Sequence, residues 1–432
     1  MSRAPICAPA TPLLPSAVAL VRISGSDLTG LLAPLLTLPR PRRASLRTLC
    51  WDGFCERALV LYFPGPASYT GEDVVELQIH GNPLLATRLL AHLAHLGIRL
   101  AEPGEFTRRA LLNGKQGLLE AEALRDLVAA QTDAQIRLAQ ARAAAQPEWI
   151  TLARQTLAPW VARAEAAVDY GEDEDIILNT KDLFSALEPL LGRFHVEQGR
   201  ARAARRLRDG ITLALVGRPN AGKSTLFNAL AGEDRAIITE TPGTTRDVLE
   251  VRCEWRGLPL RLFDTAGLRV TEDPVERLGV ARVAPLLETV DVVLHLVPAG
   301  EAASPVAGTI LAPFQGKVLE VHTFSDLAEA EGVAIAAPRG DLDALEVALK
   351  ERLLGGLGPE ACLGALATER QVALLDDLVE QLELLRALGE GCPPELPASL
   401  LQGAWGLLAR LTGEDRAEST LDALFGGFCL GK

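Results

Sequence analysis

Gly217-Arg218-Pro219-Asn220-Ala221-Gly222-Lys223-Ser224 is the stretch on which the reading of this chain turns. It fits G-x-x-x-x-G-K-[ST] in full. It follows the apolar run Ile211–Val216 and opens a helical pattern, Ser224–Ala231, which is the strand–loop–helix context the motif needs. The glycines let backbone N–H groups close on phosphate oxygens, and the helix N-terminus favours their negative charge. Lys223 would reach the β- and γ-phosphates of a nucleotide, and Ser224 would offer a hydroxyl to Mg²⁺.

Two further segments follow in order. The apolar run Leu258–Phe263 ends in Asp264-Thr265-Ala266-Gly267, where the Asp can hold Mg²⁺ through water and the Gly N–H can sense a γ-phosphate. Between it and the phosphate loop lies Gly243-Thr244-Thr245-Arg246-Asp247, placed as a switch loop whose threonine completes the Mg²⁺ shell. DxxG alone is weak, but this ordered set specifies a GTPase. Residue 268 is Leu268, where a Ras-type enzyme has a water-orienting glutamine. Hydrolysis must therefore recruit another polar group and another positive charge. Asn220 and the Thr239–Thr245 loop offer oxygens for a monovalent cation. Glu276 either positions water or is a solvated helix charge. The guanine-reading N-K-x-D is degraded to Thr323-Phe324-Ser325-Asp326. Asp326 can still accept from the guanine edge and Phe324 can stack on the base, so guanine preference is expected with weaker binding.

Working outward, Val290–Val297, Val318–His322 and Val333–Ala337 are short apolar runs alternating with helical patterns, the signature of a mainly parallel α/β sheet. Helical spacing dominates on both sides: Gly117–Arg142, Glu148–Ala167 and Asp182–Arg208 before it, and the segments after Gly364 beyond it. The α/β unit is either inserted into one helical domain or flanked by two. Nearer the N-terminus, Ala17–Ile23, Arg57–Phe63 and Asp73–Ile79 suit strands and Pro83–Leu96 a helix.

With 432 residues the chain is long enough for about three domains. A net charge of −13 excludes a protein that coats nucleic acid by bulk charge. Residues 193–208 are the basic exception, with six basic and one acidic side chain; they form a solvated helix face or meet RNA phosphate. Pro5, Pro9, Pro12 and Pro15 interrupt the uncharged run Ala4–Val21, so it makes neither a spanning helix nor a good leader core. The seven scattered cysteines, with no C-x-x-C pair, read as those of a reducing, cytoplasmic protein without a zinc site.

Taken together, the motifs resemble the MnmE (TrmE) family of tRNA-modification GTPases over nearly the whole chain. Near the N-terminus these are Val21-Arg22-Ile23-Ser24-Gly25, Phe63-Pro64-Gly65-Pro66, and Tyr69-Thr70-Gly71-Glu72-Asp73 with Glu76, His80 and Gly81. Pro103-Gly104-Glu105-Phe106, Val275-Glu276-Arg277-Leu278-Gly279 and the terminal Phe428-Cys429-Leu430-Gly431-Lys432 complete the set. The resemblance implies an N-terminal α/β folate-binding and dimerising domain over residues 1–115. It implies a helical domain in two segments, 116–208 and 357–432, with the G domain inserted at 209–356.

The resemblance also implies a chemistry. With a flavoprotein of the MnmG (GidA) family, in a heterotetramer that brings FAD and NADH, the family builds an aminomethyl or carboxymethylaminomethyl group at C5 of the wobble uridine of certain tRNAs. The one-carbon unit comes from a tetrahydrofolate derivative, as the 5-formyl or methylene form. Arg22, Glu76, Lys115 and Lys432 would bind folate. Asn220, Ala221, Gly222, Lys223, Ser224 and Thr225 would hold GTP, together with Thr239, Glu240, Thr241, Pro242, Gly243, Thr244, Thr245, Asp264, Thr265, Ala266, Gly267 and Asp326. Ser224 and Thr245 would hold Mg²⁺. Asn220, Thr239, Thr241 and Thr244 would hold K⁺ when two G domains of a homodimer meet. Glu276 matches the family's water-positioning glutamate, and Cys429 would lie near the one-carbon unit. The sequence departs from the family pattern at Leu13-Leu14-Pro15-Ser16-Ala17-Val18-Ala19, where side chains replace a glycine-rich loop. The competing readings are a regulatory or assembly GTPase without modification chemistry, and a scaffold with a weakened G domain. No RNA-binding module is visible to support the first, and the intact phosphate-loop motifs argue against the second.

Overall fold

The computed structural model describes residues 4–169, 178–232, 237–238, 249–264, 284–302, 311–328, 331–389, 392–415, 418–428 and 431. The chain forms two compact units, Met1–Arg125 with Thr412–Lys432, and Asp126–Leu411. Both are α/β in build, and the fold class is the multidomain α/β arrangement expected.

The first unit is organised on a six-stranded sheet. Its strands are β1 (Ile6–Pro9), β2 (Ser16–Gly25), β3 (Ser45–Trp51), β4 (Phe54–Phe63), β5 (Asp73–Gly81) and β6 (Arg99–Leu100). They lie in the order β3-β4-β5-β2-β1-β6. Neighbours are antiparallel except β1 with β6. The period of two sorts the side chains. Val21 and Ile23 of β2, and Val75 and Leu77 of β5, are buried, so Arg22 and Glu76 between them emerge on the other face. Two helices cover the buried face: α1 (Leu28–Leu32) and α2 (Pro83–His95). Asn82 caps α2 by accepting from the Leu84 and Leu85 N–H groups, and Pro83 starts it. Its buried Ala86, Leu89, Leu90 and Leu93 recur at helical spacing.

One cysteine pair is brought together by a hairpin. Asp52 and Gly53, both at positive φ, turn β3 into β4. The resulting register sets Cys50 opposite Cys55, and the two are joined as a disulfide with Cα atoms 4.2 Å apart.

The chain returns to this unit at its far end. There α12 (Glu418–Phe425) packs on α3 (Glu105–Leu112). Leu111, Leu118, Leu421, Leu424, Phe425 and Phe428 form the apolar contact, and Arg108 pairs with Asp422 at 2.7 Å. Gly104 precedes α3 at φ 69°; a Cβ there would lie 2.9 Å from the Phe425 carbonyl, so glycine is required both by conformation and by space.

The helices of the second unit and its approach are α4 (Leu118–Ala129), α5 (Asp133–Ala144), α6 (Glu148–Asp169) and α7 (Thr180–Asp209). After the sheet come α9 (Asp343–Leu354), α10 (Glu369–Ala387) and α11 (Glu395–Thr412), with α8 (Lys223–Ala231) inside it. The helical pattern Gly117–Arg142 is broken at residues 130–132, because Thr132 caps α5 by accepting from the Gln135 N–H. The six arginines of residues 193–208 are not a free basic face. Arg193 and Arg200 pair with Glu197, Arg202 with Asp376, Arg205 with Asp209 and Glu369, and Arg208 with Asp126. Arg206 donates to the Leu353 carbonyl.

The seven-stranded sheet holds β7 (Ile211–Gly217), β8 (Ile237–Ile238), β9 (Leu249–Trp255), β10 (Leu258–Asp264), β11 (Val292–Pro298), β12 (Val318–Thr323) and β13 (Val333–Ala334). Its order is β13-β12-β11-β7-β10-β9-β8. The first five are parallel, β9 runs antiparallel to β10, and β8 runs antiparallel to β9. Leu213, Leu215, Leu260, Leu262, Leu294 and Leu296 pack on one face. Ala214, Val216 and Val293 pack on the other. Covered faces explain why these strands read as continuous apolar runs. The expected run Val333–Ala337 shrinks to two strand residues.

Candidate functional site

The phosphate loop leaves the carboxyl end of β7, between β10 and β11. This is where strand order reverses and parallel sheets bind ligands. Asn220 sits at φ 63°. Gly222, at φ 86°, starts α8 without a side-chain cap, so no side chain competes for the N–H groups of the first turn. Lys223 Nζ donates to the carbonyls of Gly217 and Arg218, each at 2.7 Å, which folds the ammonium over the loop. Ser224 and Thr225 are exposed at the helix start, and Ala221 is buried beneath them. Arg218 pairs with Glu301.

The carboxyl end of β12 closes on this loop. Thr323 is buried, and its hydroxyl donates to the Ala221 carbonyl at 3.0 Å. Phe324, at φ 60°, brings its ring against Gly222. Asp326 Oδ2 pairs with Arg339 Nε at 3.2 Å, while Oδ1 is buried with no hydrogen-bond partner among the described residues. The degraded Thr323-Phe324-Ser325-Asp326 thus keeps its place at the nucleotide loop. Thr323 has enough reach to tie the loop from below. On β10, Asp264 pairs in register with Leu215 of β7, which sets its backbone beside the root of the loop.

A second constellation lies in the first unit. Arg22 and Glu76 are direct partners in the β2–β5 register. Arg22 Nε and Nη2 meet Glu76 Oε1 at 3.0 and 2.9 Å, and Nη1 donates to the Gly431 carbonyl at 3.2 Å. They line a cavity of about 430 Å³ together with Arg42, Phe63, Tyr69 and Leu124, a size suited to a small organic ligand. Lys115 is outside the lining. Its stem lies against Gly71, where a Cβ would come within 3.3 Å of it.

A partly buried ion network joins Glu72, Arg109 and Glu105 in the same unit. Glu72 accepts from Ser24 at 2.8 Å and from Arg109 at 3.0 Å, and Arg109 also donates to Glu105 at 2.9 Å. Burial by itself pushes the Glu105 carboxyl up. The Arg99 guanidinium, the Glu102 N–H and Arg109 outweigh burial and hold it below the usual carboxylate value.

The structure therefore brings together Asn220–Thr225 with Thr323–Asp326, and separately Arg22 with Glu76. Thr239, Glu240, Thr241, Pro242, Gly243, Thr244, Thr245, Thr265, Ala266, Gly267, Glu276, Cys429 and Lys432 lie outside the described residues, as does Leu268. Sequence reasoning missed Arg42, Arg339 and the Thr323–Ala221 bond. Phe63 and Tyr69 were within reach, since both fall in quoted motifs. Among the described residues no helix is long and apolar enough to cross a membrane.

Residues 5–115 match the family described as GTP-binding protein TrmE N-terminus, and residues 118–429 match the MnmE helical domain. The tRNA modification GTPase MnmE of Methylobacterium radiotolerans is 41% identical over 445 residues, covering 98% of each chain. The chain belongs to the MnmE family. The MnmE proteins of Acidiphilium cryptum and Beijerinckia indica, also named tRNA modification GTPases, are 39% and 40% identical. They are matched over 96% of their length, covering 96% and 99% of this chain. The chain is thus a GTP-hydrolysing enzyme of that family.

Proposed function

We propose that this tRNA modification GTPase works in the cytoplasm, as a homodimer with a flavoprotein of the MnmG (GidA) family. Together they form the aminomethyl or carboxymethylaminomethyl group at C5 of a tRNA wobble uridine. A tetrahydrofolate derivative, as the 5-formyl or methylene form, supplies the one-carbon unit, and FAD and NADH enter through the partner. The observation that carries this reading is the pairing of two built sites in one chain of the MnmE family. One is a phosphate loop tied to Thr323, and the other is a cavity carrying the Arg22–Glu76 pair.

In the nucleotide site, Lys223 and the uncapped N–H groups of α8 are suited to the β- and γ-phosphates. Asp326 would accept from the guanine N–H groups, with Phe324 against the base. The exposed Ser224 hydroxyl suits Mg²⁺, with Thr245 as its companion, and Asp264 would hold a water of the Mg²⁺ shell. Asn220, Thr239, Thr241 and Thr244 would hold K⁺ as two G domains meet. The two ions supply positive charge against the charge that develops on the transferred phosphoryl group. Glu276 would orient the attacking water in place of the side chain that Leu268 lacks.

In the cavity, Glu76 is a carboxylate able to accept from the donor edge of a pterin, and Arg22 fixes its orientation. Lys115 and Lys432 would bind folate from outside the present lining, and Cys429 would stand near the one-carbon unit. In the domain division 1–115, 116–208, 209–356 and 357–432, the last segment would return Cys429 and Lys432 to the folate site of the first. The test is wobble-uridine modification by the purified protein with its flavoprotein partner, with folate and GTP omitted in turn. Loss of product in each case is expected. Full modification without folate overturns the reading. Replacing K⁺ by Na⁺ is expected to slow GTP hydrolysis.

A further inference from the structure

The cavity of the first unit holds a charge that the folate assignments leave unused. Arg22 is committed: its guanidinium meets Glu76 and the Gly431 carbonyl, so that part of the wall is close to neutral. Arg42 also lines the cavity, and among the described residues it has no carboxylate partner. Its guanidinium lies over the Phe63 ring, 5.7 Å from the centroid, and Nη2 donates to the Ala67 carbonyl. These contacts orient the fork from two sides while most of its five N–H donors stay available.

The backbone supports the same conclusion. Arg42 sits at φ 58°, a left-handed conformation that disfavours a side chain. Its own N–H is tied to the Tyr62 carbonyl at 2.8 Å. An arginine held at a position that glycine or asparagine would occupy more cheaply marks a side chain whose placement matters.

We propose that Arg42 is a specificity-determining residue that receives the carboxylate tail of the bound pterin ligand. This rests on the folate reading of the cavity and deepens it. The wall presents three chemistries in one space: the Glu76 carboxylate for a donor-rich ring, Phe63, Val74 and Leu124 for an apolar middle, and an unneutralised guanidinium for an anion. A guanidinium fork matches a carboxylate in two parallel hydrogen bonds, which a lysine cannot reproduce. A ligand with a glutamyl tail fits all three, whereas one that ends at its benzoyl ring leaves Arg42 without a counter-charge.

The experiment is a titration of the full-length protein with 5-formyltetrahydrofolate and with its tail-less counterpart, 5-formyltetrahydropteroyl amide. It is run on the wild type, Arg42→Ala and Arg42→Lys, with melting curves to show that each variant is folded. Wild type is expected to prefer the tailed ligand by about tenfold, the size of one charge-assisted contact. Arg42→Ala should erase that preference while binding the tail-less ligand as wild type does, and Arg42→Lys should restore only part of it. The wild-type preference should shrink as salt is raised. Equal weakening of both ligands in Arg42→Ala, or a preference that survives it, overturns the proposal. Wild type binding neither ligand overturns the folate reading and this assignment with it. Wild type binding both equally overturns only this assignment.

Discussion

The two sites are built by opposite means. The nucleotide loop is contiguous: the eight-residue motif Gly217–Ser224 runs from the last residue of β7 through a five-residue turn into the first turn of α8, and one hydroxyl from β12 anchors it. The cavity of the first unit is an outcome of strand register. Arg22 and Glu76 are 54 positions apart in the chain and become neighbours only because β2 and β5 pair in one alignment. A one-residue slip of that pairing would put the two side chains on opposite faces of the sheet and send one of them into the core. The first kind of site survives changes in its surroundings and is readable as a motif. The second depends on every strand that sets the alignment.

Four outcomes would sharpen or break that contrast. The largest is at the loop. Lys223→Ala should lower the rate of GTP hydrolysis about 100- to 1000-fold, the usual cost of removing one positive donor aimed at developing charge. Phosphate release would show this, and folate titration should be unchanged. Next, Glu76→Gln should weaken folate binding by about 10- to 100-fold, as expected for losing a hydrogen bond to a charged group. Hydrolysis of GTP by the protein alone should keep its rate, and a parallel fall would mean that the sites are not separable in this way.

The third concerns how the far end of the chain docks. Gly104→Ala should cost about 2 kcal/mol in a urea titration, through its positive φ and the contact with the Phe425 carbonyl. The smallest is acid sensitivity. The Glu105 carboxyl is held below its ordinary value, so its contribution is fully present above about pH 4.5 and is lost as pH falls through the folded value. The urea midpoint of Glu105→Gln should therefore change less than that of wild type between about pH 5 and about pH 3. Identical acid profiles would show that the Arg99–Glu105–Arg109 network does not couple to folding.

Legibility in the sequence followed the same division. The phosphate loop, β7, β10, β11 and β12 could be read directly, because local motif and apolar run coincide there. The family resemblance pointed to Arg22 and Glu76, but their contact is a matter of register, which no short window encodes. Arg42 carried no signal at all, since its place in the cavity wall comes from a turn that sets it over Phe63. The Cys50–Cys55 pair was hidden by the same effect, because a two-residue turn converts separation along the chain into opposition across a hairpin. The break between α4 and α5 hung on one capping threonine, a local competition that helical periodicity does not register. The arginines of α7 looked like a basic patch because their acidic partners, Asp126, Glu369 and Asp376, come from distant segments.

One junction has a mechanical consequence. The 30-residue α7 ends at Asp209, and β7 begins at Ile211, with Gly210 alone between them. A helix of that length spans roughly 45 Å, so the strand that carries the nucleotide loop is rooted in a long rod with almost no slack. Such an arm is a lever. A tilt of about 10° at the Gly210 end would sweep the Thr180 end through roughly 8 Å, turning a small adjustment beside a phosphate into a large stroke elsewhere in the helical layer.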